Sequence, residues 1–311
     1  MLPLTATEAA VRPAKRINRG RLKYYAWGYL FVSPWILGVS IFTAYPLIYA
    51  AYLSFTKYDL LTSPKLIGFR NFSTMIQDDV FYTALGNTAY YTFVAVPAQL
   101  VLALFLAILL NQKMPLINVF RTAFYLPTVT PTVASVVLFM YLYNPDFGVF
   151  NQIVGWFGFE RIKWLDDPAW SKPSLIIMSL WTVGGQMVIF LAGLQSVPQV
   201  LVEAASIDGA GPISRLRHVT LPMITPVIFF NLVLGIIGSF QVFTVAFIAT
   251  GGGPIESTLF YVLWMYQHAF LNLKMGYAAA IGWVLLAIIL LFTLIQFAVA
   301  RSWVYYEGGE S

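Results

Sequence analysis

Few side chains in this 311-residue chain are suited to acid–base or nucleophilic chemistry. It has no cysteine and two histidines, His218 and His268, which lie outside the predicted membrane spans. No Asp, Glu, Lys or Arg lies in the core of a predicted span, although charges at membrane depth usually mark proton or ion relays. The glycine run TGGGP at 250–254 lacks the following Lys-Ser or Lys-Thr of a phosphate-binding loop, so it is interpreted as a tight turn. The sequence therefore predicts neither an enzyme nor a cofactor or metal held by this chain.

The most informative polar stretch is 203–226, EAASIDGAGPISRLRHVTLPMITP, which separates two very apolar regions. Pro198 suits the first turn of a helix, and Gly209 followed by the Gly211-Pro212 pair ends that helix. A second short helix is predicted from Pro212 towards His218. The resulting helix–turn–helix lies outside the hydrocarbon and carries mostly small side chains, so its surface suits insertion into a groove of another protein.

The spacing of this stretch resembles the EAA loop of the membrane subunits of bacterial ABC importers. Its matching positions are Glu203-Ala204-Ala205, Asp208-Gly209-Ala210, Leu221-Pro222 and Pro226. Leu216 departs from the usual Phe by an apolar exchange of similar bulk. The resemblance implies that a coupling loop at 196–222 docks into a cytoplasmic ATPase through Glu203, Ala204, Ala205, Asp208, Gly209 and Ala210. The alternatives are an ordinary loop between two helices and, for the two acids, helix capping and solubility.

Composition indicates an integral membrane protein, because 59% of the residues are hydrophobic and 10% are charged, against roughly 25% charged in soluble domains. A helix needs about 20 apolar residues to span a bilayer. Six charge-free intervals are long enough: 24–56, 80–112, 122–145, 173–202, 218–255 and 275–300. The shorter interval 257–273 is interpreted as a surface or re-entrant segment. The predicted fold class is all-α, a polytopic membrane protein with six transmembrane helices. The resemblance implies that it also has a cytoplasmic coupling helix and the type I ABC importer permease fold.

The distribution of Lys and Arg predicts the orientation. Of the 18 basic residues, 11 lie on the side that holds both termini, six of them just before the first span. The positive-inside rule therefore places both termini in the cytoplasm. The basic excess is interpreted as a topology signal and not as a nucleic-acid patch. The predicted domains are a basic cytoplasmic tail (1–24), a transmembrane permease domain (25–303) and a second cytoplasmic tail (304–311).

The spans are predicted at 25–55, 85–110, 121–143, 174–195, 222–249 and 276–300. Pro34 and Pro46 are expected to kink the first helix. The proline-containing stretch YLPTVTP at 125–131 is placed in the first half of the third helix.

Other segments resemble the carbohydrate-uptake branch of these permeases, which includes the maltose, glycerol-phosphate and multiple-sugar types. They are GFRNF at 68–72, NPDFG at 144–148, AGLQSVP at 192–198, GSFQVF at 238–243 and TGGGP at 250–254. A sugar site needs neutral hydrogen-bonding groups and aromatic faces. The candidates for the substrate path are Ser179, Trp181, Gln186, Ser239 and Gln241. The resemblance supports only Ser239 and Trp181 directly, and for each of these packing between helices is the alternative.

The resemblance implies a set of partners in the bacterial plasma or inner membrane. These are a second homologous permease subunit, an ABC ATPase dimer that binds ATP-Mg, an extracytoplasmic solute-binding protein and a sugar or oligosaccharide. The alternative solute is glycerol 3-phosphate or a related polyol ester, which requires a cationic or helix-N-terminal partner. An intramembrane enzyme or a secondary carrier is disfavoured by the absence of ionisable groups in the spans.

Overall fold

The computed structural model describes residues 19–112 and 114–305. Most of the predicted tail at 1–24, and the predicted tail at 304–311 beyond residue 305, lie outside the described residues. The described chain is helical except for loops and one short antiparallel pair, β1 (Thr56–Lys57) and β2 (Lys65–Leu66). The all-α prediction is confirmed.

The described residues divide into two compact units, with the boundary between residues 52 and 53, and each is described by itself. The first contains α1 (Arg19–Val39) and a π-helical turn (Ser40–Ala44), which leads into α2 (Tyr45–Ser54). The π-helical turn lies between Pro34 and Pro46, and widened turns of this kind are a common cause of helix bending. Trp27–Ser54 is long and apolar enough to span a membrane, with a mean hydropathy of 1.7.

The second unit holds the remaining helices. In chain order they are α3 (Arg70–Ile76), α4 (Asp79–Leu110), α5 (Ile117–Val129), α6 (Thr132–Leu142), α7 (Val149–Trp156), α8 (Pro168–Leu180), α9 (Gly184–Ser196), α10 (Gln199–Ile207), α11 (Pro212–Arg215), α12 (Leu221–Met223), α13 (Thr225–Phe240), α14 (Thr244–Ala249), α15 (Tyr261–Tyr266) and α16 (Met275–Ala300). π-Helical turns join α11 to α12 (Leu216–Thr220) and follow α15 (Gln267–Leu271).

By length and composition, three uninterrupted helical segments of the described chain can cross a membrane, and the number rises to six if each bent pair counts as one span. The predicted third helix is broken: α5 and α6 meet at 98°. Pro131 has no N–H to continue α5 and holds Thr130 in an extended conformation. The predicted fourth helix also bends, by 49° between α8 and α9.

The predicted fifth helix, 222–249, is divided at two places. A 66° bend separates the α11–α12 segment from α13, because Pro226 cannot donate to the carbonyl of Pro222. The Thr225 hydroxyl donates to that carbonyl instead, at 2.7 Å. α13 then ends at Phe240, and α14 is a separate short helix.

Two hydrophobic clusters lie towards opposite ends of α4. The first contains Tyr91 and Val96 of α4 together with residues of α8, α13, α15 and α16. The second contains Ala103 and Leu110 of α4 and residues of α9. α15 belongs to the first cluster and its Tyr261 is fully buried. Residues 257–269 are therefore mostly packed inside the fold, whereas 270–273 are exposed. The interpretation as a surface segment is wrong for 257–269, and the re-entrant alternative stays a prediction.

Candidate functional site

A cavity of about 440 Å³ opens among α4, the bent pair α5–α6, the bent pair α8–α9 and α13. It lies at the level where the two hydrophobic clusters meet. On α4, Gln99 faces it from between Val96 of the first cluster and Ala103 of the second. The helix breaks therefore leave a space between two packed regions, of a size typical for small-molecule sites.

The residues that line this cavity include 11 with polar side chains and no Asp, Glu, Lys, Arg or His. Its polar members are Tyr91, Gln99, Thr128, Thr130, Thr132, Ser135, Ser179, Thr182, Gln186, Asn231 and Ser239. The remaining lining residues are apolar or glycine. Such a surface can exchange hydrogen bonds with hydroxyl groups and pack against apolar ring faces, and it offers no side-chain charge to an ion.

The bend between α8 and α9 depends on a close approach to α5. A Cβ added at Gly184 would lie 2.3 Å from the carbonyl oxygen of Phe124, a separation that real structures do not allow. The next residue, Gly185, donates its N–H to the Thr128 hydroxyl at 3.1 Å. Thr128 thereby satisfies a free N–H at the start of α9. Glycine at 184 lets the two broken helices meet at the cavity wall.

Several polar groups of the cavity are fixed by hydrogen bonds. The Gln99 Nε2 donates to Ser179 Oγ at 2.9 Å, and that hydroxyl donates to the carbonyl of Ile176 at 2.6 Å. The amide of Asn231 donates to the carbonyl of Val227 at 3.1 Å. Gln186 Oε1 and Ser135 Oγ, in contrast, are buried without a hydrogen-bond partner in the protein. Since buried polar atoms are normally paired, these two acceptors would gain a partner if a movement of their side chains exposed them to a guest molecule in the cavity.

A second candidate feature is the loop that joins α9 to α13. Its first helix, α10, ends in a Schellman motif: Ala210 N–H bonds the carbonyl of Ala205 at 2.9 Å, and Gly209 N–H bonds that of Ser206 at 3.1 Å. Gly209 has φ +84°, which favours glycine at this position of the motif. The chain then turns into α11, and Arg215 donates to Ser206 of α10.

This loop exposes apolar side chains at its tip and buries both of its ends. Ile207 is 87% exposed and Ile213 is 81% exposed. Val197 before the loop and Ile224 after it are both buried in the second hydrophobic cluster, which also includes α4 and α9. A displacement of the tip would therefore act on packed helices, and Ile224 leads directly into α13, which lines the cavity.

Residues 99–305 match the family model described as the binding-protein-dependent transport system inner membrane component. The chain belongs to this family. It is therefore an inner membrane transport subunit, hereafter the permease. A relative of similar length is the probable ABC transporter permease protein YesP of Bacillus subtilis, 40% identical over 97% of each chain. The lactose transport system permease protein LacF of Rhizobium radiobacter is 36% identical, over 92% of this chain and 98% of its own.

A solved structure supports the fold of the permease. A chain of a bacterial ABC transporter involved in the import of the acidic polysaccharide alginate superposes with a TM-score of 0.80. The match covers 91% of this chain and 98% of that chain at 23% sequence identity. The predicted ABC importer permease fold is confirmed.

The structure of the permease separates the five predicted substrate-path residues into two groups. Ser179, Gln186 and Ser239 line the cavity. Trp181 does not line it; its ring packs edge-to-face on Phe139 at 6.0 Å. Gln241 follows the last turn of α13 and is exposed. The two outliers lie at helix breaks that the sequence analysis interpreted as continuous helix.

Cavity residues on further helices of the permease were not predicted from the sequence. Tyr91 and Gln99 come from α4, and Thr128 and Ser135 come from the broken pair α5–α6. Asn231 of α13 was also missed, although an amide within an apolar helix is itself a signal. The candidates were taken from the fourth and fifth predicted spans. Listing the neutral polar residues of every predicted span, and all of those in the fifth, identifies Gln99 and Asn231 from the sequence.

Proposed function

We propose that the permease is one of two membrane subunits of an ATP-driven, binding-protein-dependent importer of a neutral sugar or oligosaccharide. The observation that carries this proposal is the cavity with many hydroxyl and amide groups and no charged side chain. Sugars present many hydroxyls and no charge, so their recognition uses this kind of lining. Ser179, Gln186 and Ser239, together with Gln99 and Asn231, form this subunit's share of the path.

The names of relatives support a carbohydrate as the solute. One is the arabinooligosaccharides transport system permease protein AraP of Bacillus subtilis, 34% identical over 88% of each chain. LacF is named for lactose transport. Glycerol 3-phosphate is not favoured, because a phosphate needs a cationic partner and the cavity lining has neither Lys nor Arg.

The loop from α10 to α12 is proposed to dock into a cleft of the ATPase and to transmit ATP-driven movement to α13. The exposed Ile207 and Ile213 are suited to burial in that partner. Glu203 and Asp208 are exposed at the same tip and are available for polar contacts, while Ala204, Ala205 and Ala210 add little bulk. ATP-Mg is expected on the ATPase subunits, and a second permease subunit is expected to complete the path.

Reconstitution tests this function directly. The permease is assembled in liposomes with its second membrane subunit, its ATPase and its binding protein, and uptake of labelled neutral oligosaccharides is compared with uptake of glycerol 3-phosphate. We expect ATP-dependent uptake of the oligosaccharide that the binding protein retains. Uptake restricted to the phosphate ester would refute the proposal.

The cytoplasmic location of the loop and of both termini stays a prediction. Because the chain has no cysteine, single cysteines at Ser63 and Ser214 report the orientation. An impermeant thiol reagent applied to intact cells is expected to label the first and not the second. Labelling of the second alone would reverse the proposed orientation.

A further inference from the structure

The residues that follow α16 fold back onto the bend before α13. We name this segment, residues 301–305, the strap. The N–H of Tyr305 donates to the hydroxyl oxygen of Thr225 at 2.9 Å, although the two residues are 80 positions apart in the chain. Ala300, the last residue of α16, is buried, and its carbonyl accepts from the N–H of Val304 at 2.9 Å. Hydrogen bonds therefore fix the course of the strap to α16 as well as to α13.

Aromatic contacts hold the strap against α13 beside this bond. The ring of Trp303 packs edge-to-face on that of Phe229, with 6.2 Å between the ring centroids. Phe229 is buried and also meets Phe297 of α16 edge-to-face at 5.0 Å. Edge-to-face pairs at such distances are a favoured arrangement of aromatic rings. The strap and the last turns of α16 therefore pack on the first turns of α13.

The hydroxyl of Thr225 joins three parts of the chain. It donates to the carbonyl of Pro222 at 2.7 Å, and its oxygen accepts from the N–H of Tyr305. A hydroxyl can donate one hydrogen bond and accept others, so the two bonds are compatible. The carbonyl of Pro222 receives no backbone bond from Pro226, which has no N–H. One side chain thus connects the end of the loop, the start of α13 and the strap.

The bend before α13 is also contacted by α9. A Cβ added at Gly193 would lie 2.8 Å from Cγ2 of Val227, so glycine at this position allows α9 to approach the first turn of α13 closely. Ile224, just before α13, is buried in the second hydrophobic cluster. A helix that lacks a backbone hydrogen bond at a proline can flex there. Packing by α9 and the strap restricts that flexing.

These contacts determine how a displacement of the loop reaches the cavity. α13 lines the cavity through Asn231 and Ser239. α16 packs along α13, and Phe292 stacks on Phe240 with 5.2 Å between the ring centroids. A bend that is free to change its angle would absorb a displacement of the loop. With the strap bond in place, a displacement of Thr225 also displaces the end of α16.

We propose that Thr225 is a positioning residue for coupling. Its bond to the strap keeps the bend rigid, so that the loop, α13 and α16 move together when the ATPase displaces the loop. The inference rests on the proposed function for the source of this movement. It adds α16 and the strap to the parts of the permease that transmit the movement to the cavity.

Amide hydrogen exchange tests the strap bond itself. The full transporter in lipid nanodiscs is exchanged in deuterated buffer, and electron-transfer fragmentation resolves the amide of residue 305. We expect this amide to exchange about two- to twelvefold faster in Thr225→Val than in the wild type, the factor that corresponds to one neutral hydrogen bond. Thr225→Ser keeps the hydroxyl and should restore wild-type exchange. Equal exchange in Thr225→Val and the wild type would overturn the proposal.

The amount of sugar imported per ATP hydrolysed tests the role in coupling. In liposomes that contain the complete transporter and its binding protein, we expect this ratio to fall about two- to twelvefold in Thr225→Val, the factor by which one neutral hydrogen bond changes the population of the rigid bend. Thr225→Ser should keep the wild-type ratio. A variant that is only less stable lowers uptake and hydrolysis together and leaves the ratio unchanged.

The matched control for this measurement is Thr293→Val in α16. The hydroxyl of Thr293 donates to the carbonyl of Ile289 in the same helix at 2.8 Å, so the variant loses a hydroxyl-to-carbonyl bond that joins no second element. We expect it to keep the wild-type ratio of sugar to ATP.

Substitutions at residue 305 separate the strap from the bond to Pro222. Tyr305→Pro has no N–H to donate and leaves the bond between Thr225 and Pro222 in place. We expect its ratio of sugar to ATP to fall as in Thr225→Val. Tyr305→Ala keeps the N–H and removes an exposed ring, so it should have the wild-type ratio.

The opposing outcomes are distinct. A wild-type ratio in both Thr225→Val and Tyr305→Pro would overturn the proposal. A lower ratio in Thr225→Val alone would assign the effect to the bond with Pro222 and refute the strap. A transporter that imports glycerol 3-phosphate and no sugar would refute the proposed solute, and the same ratio measured with that ester would still test the strap.

Discussion

The buried, unpartnered amide oxygen of Gln186 gives the sharpest prediction for the cavity. Leaving a buried polar group without a partner costs about 1–3 kcal/mol, and Gln186 Oε1 is such a group in the protein alone. Gln186→Leu removes that unsatisfied acceptor and keeps most of the volume. We therefore expect the thermal stability of the purified permease to stay the same or to rise slightly.

Sugar uptake by Gln186→Leu, in contrast, should decrease. If a sugar hydroxyl donates to Gln186 Oε1 during passage, the variant loses one neutral hydrogen bond, worth about 0.5–1.5 kcal/mol. That corresponds to a decrease of about two- to twelvefold in the kcat/KM for uptake, since 1.4 kcal/mol is about a factor of ten. The assay is uptake of the labelled sugar into liposomes, normalised to the amount of assembled transporter.

The matched control is Gln241→Leu, which makes the same exchange outside the cavity. We expect its uptake to equal that of the wild type. If Gln186→Leu keeps full uptake, or loses uptake only in proportion to a lower thermal stability, the assignment of this residue to the path is refuted.

Three further predictions concern backbone geometry and pH. Gly184→Ala should lower the melting temperature, because over-packing costs about 1–3 kcal/mol. The control Gly185→Ala should be tolerated, since its Cβ would meet a side-chain methyl at 3.4 Å. Equal melting temperatures of the two variants would contradict the close approach of α9 to α5. Gly209→Ala should lower the free energy of unfolding by about 1 kcal/mol, because residue 209 has a left-handed backbone. ATP hydrolysis stimulated by the binding protein should decrease, with no loss of membrane insertion. Normal stimulation would contradict a coupling role of the loop. Burial, and after it the charge of Lys274, lower the pKa of His268 below 6.5. The contribution of His268 to stability should therefore be complete above pH 6.5 and decrease as the pH falls from 6.5 to the folded-state pKa. Melting temperatures measured across this pH range would refute the prediction if His268→Gln showed the same decrease as the wild type.

Much of the architecture could be predicted from the sequence, because the patterns that determine helix limits and turns are local in the chain. The limits of α16 lie within a residue of their predicted positions, since neither charge nor proline interrupts the apolar run. The two helices of the loop and the turn at Gly209 were likewise predicted from glycine and proline placement. These elements depend on local backbone preferences and on hydrophobic length.

The helix breaks were not predicted, because they depend on tertiary contacts as well as on local sequence. Pro131 and Pro226 are visible in the sequence, but a proline within an apolar run can bend a helix slightly or break it. At the bend between α8 and α9 the Thr128 hydroxyl satisfies the N–H of Gly185, and at the bend before α13 the Thr225 hydroxyl satisfies the carbonyl of Pro222. Trp181 lies at the break between α8 and α9 and Gln241 just beyond the end of α13, and neither lines the cavity, whereas Ser239 lies within the regular part of α13 and lines it.

The most direct test of the central claim uses Ser239, which lines the cavity and is 8% exposed. In the cysteine-free chain, Ser239→Cys provides a single thiol on the proposed path. Modification with a bulky maleimide is predicted to abolish ATP-dependent sugar uptake, and the transported sugar should slow the modification. A fully modified transporter that imports sugar at the unmodified rate would contradict the assignment of this cavity to the path.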